Sequence, residues 1–229
     1  MSDSVKVDID VDFDEPRRHN LPERDIIYNL LNNFSAVGDM TVSCKTLKLI
    51  YSIQHMNPLP KFRDLTRMRA TMFLNTSLEV LPMVLESCPN MKRLTLELVN
   101  DDHPEAVVTK LSTVLSFCLV SSLESVEMES PITEKATEKK LVRYFLDNAT
   151  SLKKLVLRLN LSHGEKQEPS LYKNLFDSSR RSRVCQFEVT TVHGSYSKTM
   201  TKLAGRLQAY IVRDRHSWQL CFGAKWLYI

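Results

Sequence analysis

CLVSSLESVEMESPI (residues 118–132) contains no His, no Gly and no basic residue. Its apolar residues nevertheless fall into a phrase, Leu123-x-x-Val126-x-Met128, whose second half alternates apolar with polar as a half-buried strand does. The same spacing stands at Leu152-x-x-Leu155-x-Leu157 in TSLKKLVLRL (150–159) and at Met91-x-x-Leu94-x-Leu96 in CPNMKRLTLEL (88–98). Copies with weaker apolar character are Leu65-x-x-Met68-x-Ala70, Val37-x-x-Met40-x-Val42 and Ser182-x-x-Cys185-x-Phe187, and Ser4-x-x-Val7-x-Ile9 would open the chain. The first positions 37, 65, 91, 123, 152 and 182 are separated by 28, 26, 32, 29 and 30 residues.

Between phrases the apolar period changes to that of a helix. TLKLIYSIQHM groups Leu47, Ile50 and Tyr51, LEVLPMVLESC groups Leu78, Leu81 and Leu85, and TEKATEKKLVRYFLDN groups Leu141, Tyr144 and Phe145. HPEAVVTKLSTVLSF (103–117) and EPSLYKNLF (168–176) read the same way, with Pro104 suited to a first helical turn. A strand–turn–helix unit of about 30 residues cannot bury its own apolar face, so copies must stack. The expected fold is α/β, a leucine-rich-repeat-like right-handed solenoid with a parallel sheet on the concave face and helices on the convex face. An ordinary α/β domain would also supply apolar strands and striped helices, but not the regular steps.

At 229 residues with 43% hydrophobic content the chain can bury a sizeable core. No membrane partner is expected, since no run of about 18 apolar residues exists, and the acidic start MSDSVKVDIDVDFDE is unlike a signal peptide. The expected location is cytoplasmic or nuclear. Five scattered cysteines without a CxxC pair read as reduced thiols in a core. The formal charge of +4 is uneven: residues 191–229 carry six Lys/Arg against Asp214 alone, so the rest of the chain sums to −1. A near-neutral body with a basic tail gives no footprint for nucleic acid.

No catalytic, metal or cofactor site is expected, and no cofactor. DIDVDFDE places Asp8, Asp10, Asp12 and Asp14 at alternate positions, but an EF-hand counted from Asp8 would need Gly and Glu where Phe13 and His19 stand. Alternation with Val7, Ile9 and Val11 describes a strand with one acidic face instead. VHGSYS (192–197) lacks the G-x-S-x-G elbow, and no phosphate-cradling glycine motif occurs. An enzyme is therefore not expected. RRSR (180–183) reads as a solvated loop-to-strand turn rather than a nuclear signal.

The segment LESCPNMKRLTLEL (85–98) resembles the leucine-rich repeats of plant F-box proteins that end in an FBD region. CLVSSLESVEMESPI, KLVRYFLDNATSLKKLVLRL (140–159) and RRSRVCQFEV (180–189) resemble the FBD region itself. The resemblance implies repeat-like units over 1–117, an FBD-like continuation of the solenoid over 118–190, and a basic tail over 191–229. It also implies a non-catalytic interaction module akin to the substrate-recognition part of a ubiquitin-ligase receptor, with an unidentified target protein as partner. The family's F-box does not appear in the sequence, so no docking on the ligase adaptor is expected, and a truncated or misjoined member with an incomplete solenoid is the alternative.

In such a solenoid the residues between the apolar strand positions line the open face. They are Asp39, Thr41, Arg67, Arg69, Arg93, Thr95, Glu97, Ser125, Glu127, Glu129, Lys154 and Arg158. A partner-binding face and a merely solvated face with alternating charge read these residues equally well. At the front, the first unit is expected to leave an apolar side exposed. At the back, KTMTKLAGRLQAYIVR (198–213) has helical spacing through Met200, Leu203, Ala204, Leu207, Tyr210 and Ile211, which predicts a further solenoid helix followed by a last capping strand in SWQLCFGAKWLYI, with a basic amphipathic helix for a membrane surface or an acidic partner as the alternative.

Overall fold

The computed structural model describes residues 6–11, 21–34, 36–53, 59–74, 77–99, 116–131, 136–161, 180–193, 207–214, 217–222 and 225–228. Five helices alternate with the first strands: β1 (Lys6–Ile9), α1 (Leu21–Asn33), β2 (Asp39–Val42), α2 (Cys44–Ile53), β3 (Arg67–Phe73), α3 (Ser77–Ser87), β4 (Arg93–Val99), α4 (Phe117–Ser121), β5 (Ser125–Pro131), α5 (Ala136–Asn148) and β6 (Lys154–Leu161). Strands β7 (Gln186–His193), β8 (Leu207–Asp214), β9 (Ser217–Phe222) and β10 (Lys225–Tyr228) follow. The ten strands among the described residues form one open sheet in the order β10-β9-β8-β1-β2-β3-β4-β5-β6-β7. From β1 to β7 neighbours are parallel and in chain order, as a leucine-rich-repeat-like solenoid requires.

The repeated phrase sets this register. Its second position stacks from strand to strand as Val7, Met40, Met68, Leu94, Val126 and Leu155, and its third as Ile9, Val42, Ala70, Leu96, Met128 and Leu157. Each of these side chains is buried against the helix layer, where Ile27, Leu31, Leu47, Leu81, Leu85 and Phe145 complete one continuous core. Burying a Leu or Phe side chain contributes about 1.5–3 kcal/mol, so a stack of such rungs carries the fold. Helices α2, α3 and α5 occupy segments whose spacing predicted them. Expected helices over 103–115 and 168–176 lie outside the described residues.

A second device repeats at the starts of β3, β4, β5 and β6. The Gly38 carbonyl accepts from the N–H groups of Thr66 and Arg67, Thr66 from Lys92 and Arg93, Lys92 from Glu124 and Ser125, and Glu124 from Lys153 and Lys154, all at 2.8–3.2 Å. Side chains in the preceding turns reach back across the same gap. Asn90 Nδ2 donates to the Arg63 carbonyl at 2.8 Å, Ser122 Oγ to Pro89 at 2.9 Å, Thr150 Oγ1 to Val120, and Ser182 Oγ to Leu152 at 2.6 Å. The bond from Ser182 is buried and that from Ser122 partly so, where turn backbone left unbonded would cost free energy, while those from Asn90 and Thr150 are exposed.

Three expectations are corrected. The phrase Ser182-x-x-Cys185-x-Phe187 is two residues out of register, because Leu155 pairs with Phe187 and Leu157 with Val189. The turn into β7 is one residue shorter than the phrase: Cys185 is buried immediately before Gln186, Val184 is 71% exposed, and among the described residues only the Gln186 N–H reaches the Lys153 carbonyl. Both registers turn Cys185, Phe187 and Val189 to the core side, and the observed one sets Phe187 and Val189 beside Leu155 and Leu157. Second, residues 207–213 are part of strand β8 and not of a helix, while 198–206 lie outside the described residues. Over a short apolar run helical and strand spacing are not separable, and the β-formers Tyr210, Ile211 and Val212 meet an open sheet edge.

That edge is the third correction. β8 pairs in parallel with β1, Val7 opposite Leu207 and Ile9 opposite Ala209, and β9 and β10 extend the sheet antiparallel. The tail therefore closes the N-terminal edge rather than following β7, and Val7, Ile9 and Val11 are buried. Helix α1 was not anticipated, although Ile27, Leu30 and Leu31 give it a helical stripe and Pro22 suits its first turn.

Candidate functional site

Strand alternation turns every second residue of β1–β7 away from the helices, and parallel register lines those residues up in rows. The first row, at the strand starts, reads Lys6, Asp39, Arg67, Arg93, Ser125, Lys154 and Gln186. The second reads Asp8, Thr41, Arg69, Thr95, Glu127, Val156 and Glu188. Thr71, Glu97, Glu129, Arg158 and Thr190 make the third. All twelve residues that the sequence put on the open face stand in these rows. Arg67, Arg69, Arg93 and Lys154 are exposed, and the other eight are half-buried.

Half of the charged residues in these rows are paired from strand to strand. Arg69 lies 3.9 Å from Glu97, which also accepts from Thr71 Oγ1 at 3.5 Å. Arg158 pairs with Glu127, and Lys154 Nζ lies 3.1 Å from Glu188. Each such pair is worth about 0–1 kcal/mol on an exposed surface, so the pairs order side chains more than they hold the sheet together. Arg67 and Arg93 differ. They are direct register partners, and among the described residues neither makes an ion pair within 4.0 Å.

Glu188 and Thr71 belong to this face and were not anticipated. A two-residue slip keeps the inward and outward sense of a strand, so Glu188 was legible as the outward residue after Phe187, and the slip only moves it from the third row to the second, opposite Val156.

The buried chemistry is structural. Burial pushes the Cys118 thiol up to about 12 and the Cys88 thiol well above its ordinary range, and the Cys118 thiol donates to the Leu85 carbonyl at 3.3 Å. Thr46, fully buried, accepts from Val11 N–H at 2.8 Å and donates to the Ile9 carbonyl at 3.4 Å, which ties the end of β1 to α2. Arg180, from the RRSR run, donates to the Cys185 carbonyl at 2.7 Å, and Ser182 is buried. That run is thus built into the turn before β7. Among the described residues no group of three or more His, Cys, Asp or Glu is placed to hold a metal ion, and no helix is long and apolar enough to cross a membrane.

A parallel sheet of stacked strand–turn–helix units, with one face spent on the core and the other lined by registered polar rows, defines a leucine-rich-repeat-like solenoid. Residues 117–157, from α4 into β6, match the family described as FBD. The chain is 66% identical over 195 residues to an F-box/FBD/LRR-repeat protein of Arabidopsis thaliana, covering 84% of this chain and 40% of that protein. It is 51% identical over 189 residues to an FBD-associated F-box protein of the same plant, covering 82% and 43%, and 39% identical over 189 residues to another F-box/FBD/LRR-repeat protein, covering 81% and 41%. Through its repeat and FBD portions the chain belongs to the plant F-box/FBD/leucine-rich-repeat family. It spans between 40% and 43% of the length of these relatives. No solved structure matches it.

Proposed function

We propose that this chain is a non-catalytic protein-binding module whose open sheet face receives a target protein, in the manner of the substrate-recognition part of a ubiquitin-ligase receptor. The observation that carries the reading is the set of three registered polar rows on a face that the core does not use. A flat row of side chains on a rigid sheet is pre-organised, so a partner meets it at little entropic cost. The binding residues are proposed to be Asp39, Thr41, Arg67, Arg69, Arg93, Thr95, Glu97, Ser125, Glu127, Glu129, Lys154 and Arg158. Units over 1–117 and the FBD-like region over 118–190 together supply the rows, and the tail over 191–229 serves the scaffold. Delivery of the target to a ligase is a task for an F-box, which the relatives carry in their names. The expected setting is cytoplasmic or nuclear.

Affinity purification from plant extract tests this with the wild-type chain and a variant carrying Arg67→Glu, Arg93→Glu and Lys154→Glu. Proteins retained by the wild type and lost by a variant of unchanged circular dichroism support the reading. Retention of the same proteins by the variant sinks it.

A further inference from the structure

The proposed face holds one feature that its own packing does not explain. Arg67 and Arg93 sit side by side on β3 and β4, strands about 4.8 Å apart, where like charges in register repel. Every acid near them is engaged elsewhere or stands off. Glu97 is taken by Arg69, and Glu127 by Arg158. Glu124 accepts from Lys153 at 3.0 Å, and that hydrogen bond, before the charges of Lys153, Lys92 and Arg93, holds its carboxyl below the ordinary range. Asp39, beside Arg67 in register, and Asp64, in the preceding turn, form no ion pair within 4.0 Å among the described residues. Ser125, beyond Arg93, is uncharged.

We propose that Arg67 and Arg93 together dock an acidic segment of a partner protein, one presenting adjacent Asp or Glu side chains; this rests on the reading of the sheet face as a protein-binding surface. Two guanidinium forks offer bidentate donors matched to carboxylates, and the repulsion between them is relieved when the acid arrives. The surrounding charges set the length of the acidic stretch. Glu129, on the neighbouring strand β5, makes no ion pair within 4.0 Å among the described residues, so a long polyanion such as a nucleic acid meets repulsion there, whereas a protein segment that turns basic after one or two acids fits the sequence of charges. The hydroxyls of Thr95 and Ser125 border the pair and can bond the segment's backbone.

An array of 15-residue Gly/Ser peptides tests the proposal. The peptides differ only at the centre, where Glu-Glu, Gln-Gln, Lys-Lys or phosphoserine is placed, and each is probed with the full chain at low ionic strength. The expected result is retention on Glu-Glu peptides that falls about tenfold in Arg67→Gln/Arg93→Gln, and by less than about twofold in Arg69→Gln, whose acid is already supplied by Glu97. A second readout is stability: the double variant, freed of repulsion, should unfold at the same or a higher urea concentration than wild type. Equal retention on all centres, retention insensitive to the double variant, or a preference for phosphoserine overturns the assignment. Extract proteins captured through Lys154 while Glu-Glu peptides fail would leave the binding face standing and remove only the acidic-segment claim.

Discussion

The two faces of β3–β6 are made from the same strands, one residue apart, and they obey different rules. On the helix side, Met68, Leu94, Val126 and Leu155 form a rung in which no member exceeds 5% exposure, and any loss of volume leaves a cavity. On the open side, the neighbouring row holds exposed Arg67, Arg93 and Lys154 beside half-buried Ser125 and tolerates two arginines as register partners. Packing fixes identity on one face, and the other is free to be shaped by a partner. Specificity on such a scaffold can therefore change without disturbing the fold.

The contrast breaks most readily on the packed side. Leu155→Ala removes a fully buried side chain from the centre of a rung and should cost about 2–5 kcal/mol in urea unfolding. A cost no greater than that of an open-face substitution would remove the distinction between the faces. A smaller effect is expected on the outer helices, where Tyr51 on α2 donates to Glu79 on α3 at 2.7 Å. That hydrogen bond first, then burial and the charge of Glu79, raises the Tyr51 phenol to about 12 from an ordinary 10.0. A raised phenol stabilises the fold fully below pH 10 and loses that contribution as pH climbs from about 10 to about 12. Tyr51→Phe should then cost about 1 kcal/mol at pH 7 and nothing at pH 12, and spectrophotometric titration of the phenols checks the shift directly. The smallest effect belongs to the open face: a double-mutant cycle on Arg158→Gln and Glu127→Gln should give a coupling of about 0–1 kcal/mol, falling with added salt. A coupling of several kcal/mol would make this pair part of the scaffold.

Much of this was legible in the order of residues. The phrase Leu-x-x-Leu-x-Leu located β4, β5 and β6 and their inward residues, because a strand buried on one face must alternate. The small polar residues in the turns before β4, β5, β6 and β7, Asn90, Ser122, Thr150 and Ser182, are equally visible once their role as turn staples is known. Less legible was α1, whose stripe of Ile27, Leu30 and Leu31 lies between two weak copies of the phrase, at Ser4–Ile9 and Val37–Val42. On the open face the sequence supplied the residues but not their pairing. Arg69 finds Glu97 and Lys154 finds Glu188 across strands separated by about 30 residues of chain, and only the register decides which cations are left without an acid.

The sequence by itself determined the repeating unit, its period and the inward or outward sense of most strand residues, since these follow from local alternation and from the need of each unit to hide one apolar face. The tertiary structure decided where the chain had local freedom. Whether 207–214 becomes helix or strand depended on an unpaired edge at β1 some 200 residues earlier, and the register of β7 depended on Leu155 and Leu157, the residues it had to lie against. Edges and registers are settled by what a segment meets, because backbone hydrogen bonds across a sheet join residues whose distance along the chain carries no signal of their meeting.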